Sequence, residues 1–144
     1  IFQAGLSWSI IDARWDDYVK AFDGFDVEKV AAYDERDVER LMRTDRIVHS
    51  RAKIEGTVRN ARALIELRRT YGSIRAYQSS FAVYDQVRRD SMKRFAYMGD
   101  MNTYYWLFRT GAPVPDVEEW MRGQERDHPR IREMVTLRKA QQST

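Results

Sequence analysis

No cysteine occurs in the sequence, which excludes disulfides and thiolate-bound metals within it. Proline is almost as scarce, with three residues, all beyond position 112. For most of its length the chain therefore carries no residue that breaks a helix by removing a backbone donor. No apolar run approaches the ~18–20 residues that a helix needs to cross a bilayer, so no membrane partner is expected. No targeting segment is recognisable, and the missing thiols suit a reducing compartment, so a cytoplasmic location is expected. The two histidines, His49 and His128, are too few for a metal cage or a histidine-based triad and read as surface residues. No glycine-rich phosphate loop, repeat, low-complexity tract or linker is present. A single domain over residues 1–144 follows from that length and uniformity.

What is present is a helical pattern. Apolar residues make up 43% of the chain, enough for one core. The net charge of +3 is mildly basic, compatible with a nucleic-acid partner without requiring one. Aromatic residues reach 12%, and such rings either fill a core or stack on bases. Asp12 is expected to cap a helix through "ARWDDYVKAF", with Trp15, Tyr18 and Phe22 on one core-facing stripe. Asp26 should cap "VEKVAAY", and "ERDVERLMR" forms another short helix. The longest helix is predicted from about Ser50 to Thr70, with a stripe of Ile54, Val58, Ala61 and Ile65, ended by Gly72. "SIRAYQSSFAVYDQ" reads as one or two turns around Phe81 and Tyr84, "DSMKRF" as a short helix, and "AYMG" as a tight connection. Asp100 is expected to cap "MNTYYWLFRT", which Gly111 ends; "APVP" is extended; Asp116 caps "VEEWMRGQER"; and a polar helix follows Pro129. The fold class is thus all-α, with many helices.

Two stretches carry candidate chemistry. In "IFQAGLSW", Trp8 stands beside Gln3, Gly5 and Ser7. Those neighbours suit either a core indole or the wall of a polar-edged pocket. In "KRFAYMGDMNTYYWLF", a short helix, a hairpin containing Gly99 and a second helix follow one another. Such a corner exposes backbone N–H groups, and the second helix adds its dipole, so it can hold a phosphate without reading sequence. Lys93, Arg94, Tyr97, Gly99, Asn102 and Thr103 are the candidate DNA contacts. Asp100 sits at the same place and would repel phosphate. The basic run "RALIELRR" is either a solvated face or a phosphate-tracking one.

Taken together, these segments resemble the DNA-3-methyladenine glycosylase I family, within the helix-hairpin-helix glycosylase superfamily. "QAGLSW", "FDVEKVAA", "DVERL" and "RAKIEGTVRNARAL" stand in the family's order over residues 3 to 67, and "FAYMGDMNTYYWLFRTG" resembles its hairpin and following helix. The resemblance implies an all-α domain with a helix-hairpin-helix corner that binds double-stranded DNA containing a damaged base. It implies a monomeric enzyme that flips out an alkylated base and hydrolyses its N-glycosidic bond without a cofactor. Gln3, Ser7 and Trp8 would line the base pocket. The family's base-contacting glutamate would fall just ahead of Ile1, which itself stands where the family has glycine.

The departures are specific. The family's zinc-ligating His and Cys near the C-terminus fall on Asp116 and Trp120, so no zinc site is expected. The segment from Gly72 to Lys93 is shorter than the family's. Pro and Thr after the hairpin glycine are replaced by Asp100 and Met101. "VPDVEEW" sets Asp116 in a context like that of the catalytic aspartate of other helix-hairpin-helix glycosylases, where it would stabilise positive charge at the sugar carbon. The competing reading, which the sequence favours, makes Asp116 a plain cap for the helix that begins at Val117. The alternative to an active enzyme is a catalytically altered module on the same frame that binds DNA or protein.

Overall fold

The computed structural model describes residues 1–2, 8–124 and 128–142, and among these there are helices, turns and no strand. The organising element is α5, Arg51–Tyr71. The Ser50 hydroxyl accepts the Lys53 N–H at its start, and Gly72 at φ 84° ends it, a left-handed backbone that glycine adopts without strain. Ile54, Val58 and Ala61 are buried as expected, but Ile65 is only half-buried and Leu67 takes its place at 1% exposure. The inward face thus drifts around the helix, because its two ends pack on different cores.

The first core lies against the N-terminal part of α5. It gathers α1 (Trp8–Ala13), α2 (Trp15–Ala21), a 3-10 turn, α3 (Val27–Ala31) and α4 (Glu35–Met42). The expectation of one helix capped by Asp12 is corrected here. Asp12 lies inside α1, and the chain breaks at Arg14, which begins α2 without a side-chain cap. The break turns Ile11, Tyr18 and Phe22 together into the core, at 1%, 0% and 0% exposure. Trp15, expected on the same stripe, is left 49% exposed. It stacks on Phe25, the outer ring of a column that continues through Phe22 to Tyr33. Burying a Phe-sized side chain contributes about 1.5–3 kcal/mol, so the buried members of the column hold this half together.

Polar groups close the ends of these short helices. Asp26 accepts the Lys29 N–H, as expected, and Asp34 and Asp37 form a reciprocal capping box on α4. Arg62 of α5 reaches across to donate to the carbonyls of Ala31 and Tyr33, both at 2.9 Å, satisfying acceptors left over where α3 ends. The Tyr18 hydroxyl accepts the Val48 N–H at 2.9 Å, pinning the loop before α5.

Beyond Gly72 come α6 (Ile74–Ser79), α7 (Tyr84–Arg94), α8 (Asp100–Arg109), α9 (Val117–Met121) and α10 (Pro129–Gln142). The short helix expected over "DSMKRF" is the last part of α7, which starts at Tyr84 without a side-chain cap and so has no sequence signal at its start. Leu67, Tyr77, Val87, Phe95 and Leu107 form a second core, and Tyr104, Val117, Ile131 and Met134 a third beside it. α7, the turn after it and α8 make the helix-hairpin-helix corner. No helix of the described residues is long and apolar enough to cross a membrane.

Candidate functional site

The hairpin begins where α7 ends. Phe95 leaves the helix in an extended conformation, and Ala96 follows. The side-chain amide of Asn60, on α5, holds the backbone of Ala96 at both its N–H and its carbonyl. Its oxygen accepts the Ala96 N–H at 2.7 Å and its nitrogen donates to the Ala96 carbonyl at 3.1 Å. Tyr97 then adopts φ 59°, a left-handed conformation rare for a residue with a side chain. Asn102 donates to the Tyr97 carbonyl at 2.6 Å. One turn along α5 from Asn60, Gly56 makes room for the hairpin: a Cβ there would lie 3.0 Å from the Tyr97 ring and 3.3 Å from the Ala96 Cβ.

α8 starts from Gly99, which makes no side-chain cap and is open to solvent. The expectation that Asp100 caps this helix is corrected: Asp100 is already its first helical residue, one position too late for an N-cap. Its carboxylate instead accepts from the Arg88 guanidinium of α7. Arg88 also contacts Asp85 at 2.9 Å, so α7 carries the charge that offsets Asp100. The first N–H groups of α8 thus meet no capping carboxylate, and the helix dipole leaves them partly positive.

The six candidate DNA contacts divide. Lys93, Tyr97 and Gly99 are exposed beside the turn. Arg94 is tied to Asp90 at 2.5 Å and lies over the Tyr77 ring. Asn102 is engaged with Tyr97. Thr103, expected at the surface, is fully buried, and its hydroxyl faces the Met98 carbonyl at 3.5 Å. These last two build the turn from within.

A cleft of about 250 Å³ opens beside the hairpin, bounded by Asn60, Tyr97, Met98, Tyr105 and Trp106, with Ile1 at its edge. Arg130 of α10 also borders it, its guanidinium 4.9 Å from the centre of the Tyr105 ring, and burial lowers its pKa. A second cleft of about 200 Å³ lies among Phe2, Ile11, Trp15, Phe25 and Thr57, and Ile1 borders this one too. The aromatic walls suit a flat ring. Gln3 and Ser7, and the side chain of Trp8, lie outside the described residues.

Asp116 caps α9, accepting the Glu118 and Glu119 N–H groups at 2.8 and 3.3 Å. Its other oxygen pairs with Arg138 of α10. Trp120 stacks on Tyr104 with ring centres 4.0 Å apart. His49 bonds the Thr44 carbonyl at 2.7 Å, and His128 accepts the Arg130 N–H at 3.2 Å. Among the described residues, no three His, Asp or Glu side chains gather where they could hold a metal ion.

A family model described as methyladenine glycosylase matches residues 1–105, from the first cleft edge into α8. The chain belongs to the methyladenine glycosylase family. DNA-3-methyladenine glycosylase 1 of Escherichia coli (strain K12) is 43% identical over 65 residues, 45% of this chain and 35% of that protein. DNA-3-methyladenine glycosylase of Haemophilus influenzae is 30% identical over 88 residues, 61% of this chain and 48% of that one. The chain thus spans less than half the length of these curated relatives. Among solved structures, 3-methyladenine DNA glycosylase I of Staphylococcus aureus superposes with a TM-score of 0.62 at 28% identity, covering 74% of this chain and 68% of that one. A 3-methyladenine DNA glycosylase I in complex with 3-methyladenine gives a TM-score of 0.65 at 26% identity, covering 90% and 76%.

For this methyladenine glycosylase family member, sequence reasoning missed Gly56, Asn60 and Arg88. The first two carried a usable signal. Glycine and asparagine both disfavour the interior of a helix, so two of them one turn apart in a 21-residue helix call for a tertiary reason. Arg88 carried none, since its partner Asp100 lies on another helix.

Proposed function

We propose that the chain is a DNA glycosylase that removes alkylated bases of the 3-methyladenine type from double-stranded DNA. The observation that carries this reading is the hairpin in a chain of this family: an exposed turn at Gly99, followed by a helix whose first N–H groups meet no side-chain cap. Such a turn suits a DNA phosphate and ignores base sequence. With the strand held there, the damaged base would rotate out of the stack toward the pocket that Gln3, Ser7 and Trp8 would line. Water would then replace the base at the sugar carbon. An N3-alkylated adenine is cationic and leaves readily, so its departure needs little help from a general acid. Aromatic surfaces would select it by stacking and cation–π attraction, each worth about 1 kcal/mol.

Asp116 is assigned to the helix cap in this scheme, because both of its oxygens already have partners. The protein would act as a cytoplasmic monomer. The test is release of free base from methylated duplex DNA by the full-length protein. Release of 3-methyladenine is the expected result. Salt-dependent DNA binding without release of any base would favour the alternative, a catalytically altered DNA-binding module on the same frame.

A further inference from the structure

We propose that Asn60 is the positioning residue of the hairpin: from α5, its amide fixes the turn from Ala96 to Gly99 in the conformation that aims the start of α8 at DNA. This rests on reading the hairpin as the DNA grip. Ala96 presents its N–H and its carbonyl, from the two peptide groups that flank it, to the same side chain at 2.7 and 3.1 Å. A primary amide, with one acceptor and a donor side by side, complements both at once. Aspartate could satisfy only the N–H and would face the carbonyl with a second oxygen. Alanine would satisfy neither.

The next residue shows why the clamp matters. Tyr97 sits at φ 59°, where a side chain costs on the order of 1 kcal/mol and persists only if its surroundings over-determine it. Those surroundings are few. Asn60 fixes the peptide just before Tyr97, Asn102 holds its carbonyl at 2.6 Å, and the ring lies where a Cβ on Gly56 would reach it at 3.0 Å. Removing the first of these frees the turn to relax toward ordinary backbone angles. Gly99, two residues on, would then swing with it, and the α8 N–H groups would lose their aim. Asn60 also borders the cleft beside Tyr105 and Trp106, so the grip and that cleft share one side chain.

The experiment measures affinity for an undamaged duplex by fluorescence anisotropy across a salt series. It uses wild type, Asn60→Ala, Lys93→Ala and the double variant, at a temperature where circular dichroism shows all four folded. Asn60→Ala should weaken binding on the order of tenfold, and Lys93→Ala should cost much less in that background than alone. A loss of stability without misplacement of the hairpin would leave the two effects additive, and additivity overturns the proposal. Wild-type affinity in Asn60→Ala overturns it as well. If Lys93→Ala has no effect even alone, the DNA-grip reading falls and the proposal falls with it, an outcome distinct from additivity. Gly56→Ala is the second variant. It favours the helix but pushes on Tyr97 from the same face, so it should stay folded and still bind DNA more weakly. Unchanged binding there, together with unchanged binding in Asn60→Ala, would show that the conformation of the turn does not matter to the grip.

Discussion

Two helix starts in the C-terminal half each carry an aspartate, and they differ by one residue in register. At α9, Asp116 has extended backbone angles (φ −54°, ψ 136°) and stands at the N-cap, so its carboxylate folds back on two N–H groups. At α8, the N-cap is Gly99, and Asp100 is already helical. There the carboxylate makes no bond to the free N–H groups and pairs with Arg88 instead. One helix start is therefore closed by its own side chain and by Arg138, while the other stays open with its aspartate drawn aside by Arg88. A closed start is a structural joint, and an open one is a candidate anion site.

The contrast is sharpest for the caps themselves. Asp116→Ala removes a cap worth about 1 kcal/mol, up to about 2, and also releases Arg138, so a clear drop in melting temperature is expected. Asp100→Ala should lower it much less, because no cap is lost. Equal drops in thermal melts would break the comparison. Asp116→Asn keeps the cap, so base release should survive; a collapse of release in the folded variant would restore Asp116 as a catalytic group.

Next in size is the charge balance at α8. Arg88→Gln should weaken DNA binding about fivefold at low salt, the effect of ~1 kcal/mol of repulsion from the exposed Asp100 carboxylate. Adding Asp100→Asn should restore most of that loss, and an anisotropy titration of all four combinations reads it directly. Failure of the second change to rescue would mean that Arg88 acts some other way. A smaller effect is expected at the cap position. Gly99→Ser supplies a hydroxyl to the open N–H groups and should gain a few tenths of a kcal/mol in stability while weakening DNA binding. Gains in both would exclude a phosphate at this helix start.

The smallest effect, at Tyr104, is silent at neutral pH. The Tyr104 hydroxyl donates to the Pro115 carbonyl at 2.6 Å, beside Asp116, and burial pushes its pKa up to about 12. In the unfolded chain it ionises near 10, so its contribution is intact below about pH 10 and is lost as pH rises from about 10 to about 12. Melting temperatures at about pH 9 and about pH 11, followed together with phenolate absorbance, should show that loss. Tyr104→Phe should reduce it.

Much of this was legible from residue order alone. α5 announced itself through Ser50 and Gly72, and Asp26 and Asp116 were read correctly as caps, because each of these signals is local. The break at Arg14 was not legible, since nothing in "DARWDD" forbids a continuous helix and only the packing of Ile11 with Tyr18 decides it. Trp15 was misplaced for the same reason. The start of α7 at Tyr84 lacks a side-chain cap and left no trace. At the hairpin, Gly99 and Lys93 could be read as exposed, while the inward roles of Asn102 and Thr103 required knowing that the turn bends back on them. Arg88 acts on a segment 12 residues away and left no trace in the sequence pattern, whereas Asn60 stood out as an asparagine inside a helix although its partner 36 residues away did not.

Asn60 and Arg62 hold backbone on two sides of α5: Asn60 the hairpin at Ala96, Arg62 the end of α3 at Ala31 and Tyr33. Two residues along a helix amount to about 200° of rotation and about 3 Å of rise. α5 therefore works as a phase-keeper, setting the angle between two parts of the chain that are some sixty residues apart in sequence. A single residue inserted between these positions would keep α5 a helix, yet turn Asn60 and Arg62 about 100° out of phase with each other, so the hairpin and the end of α3 could no longer both be held. In this molecule the length of α5 between those two residues is as much a part of the site as the residues themselves.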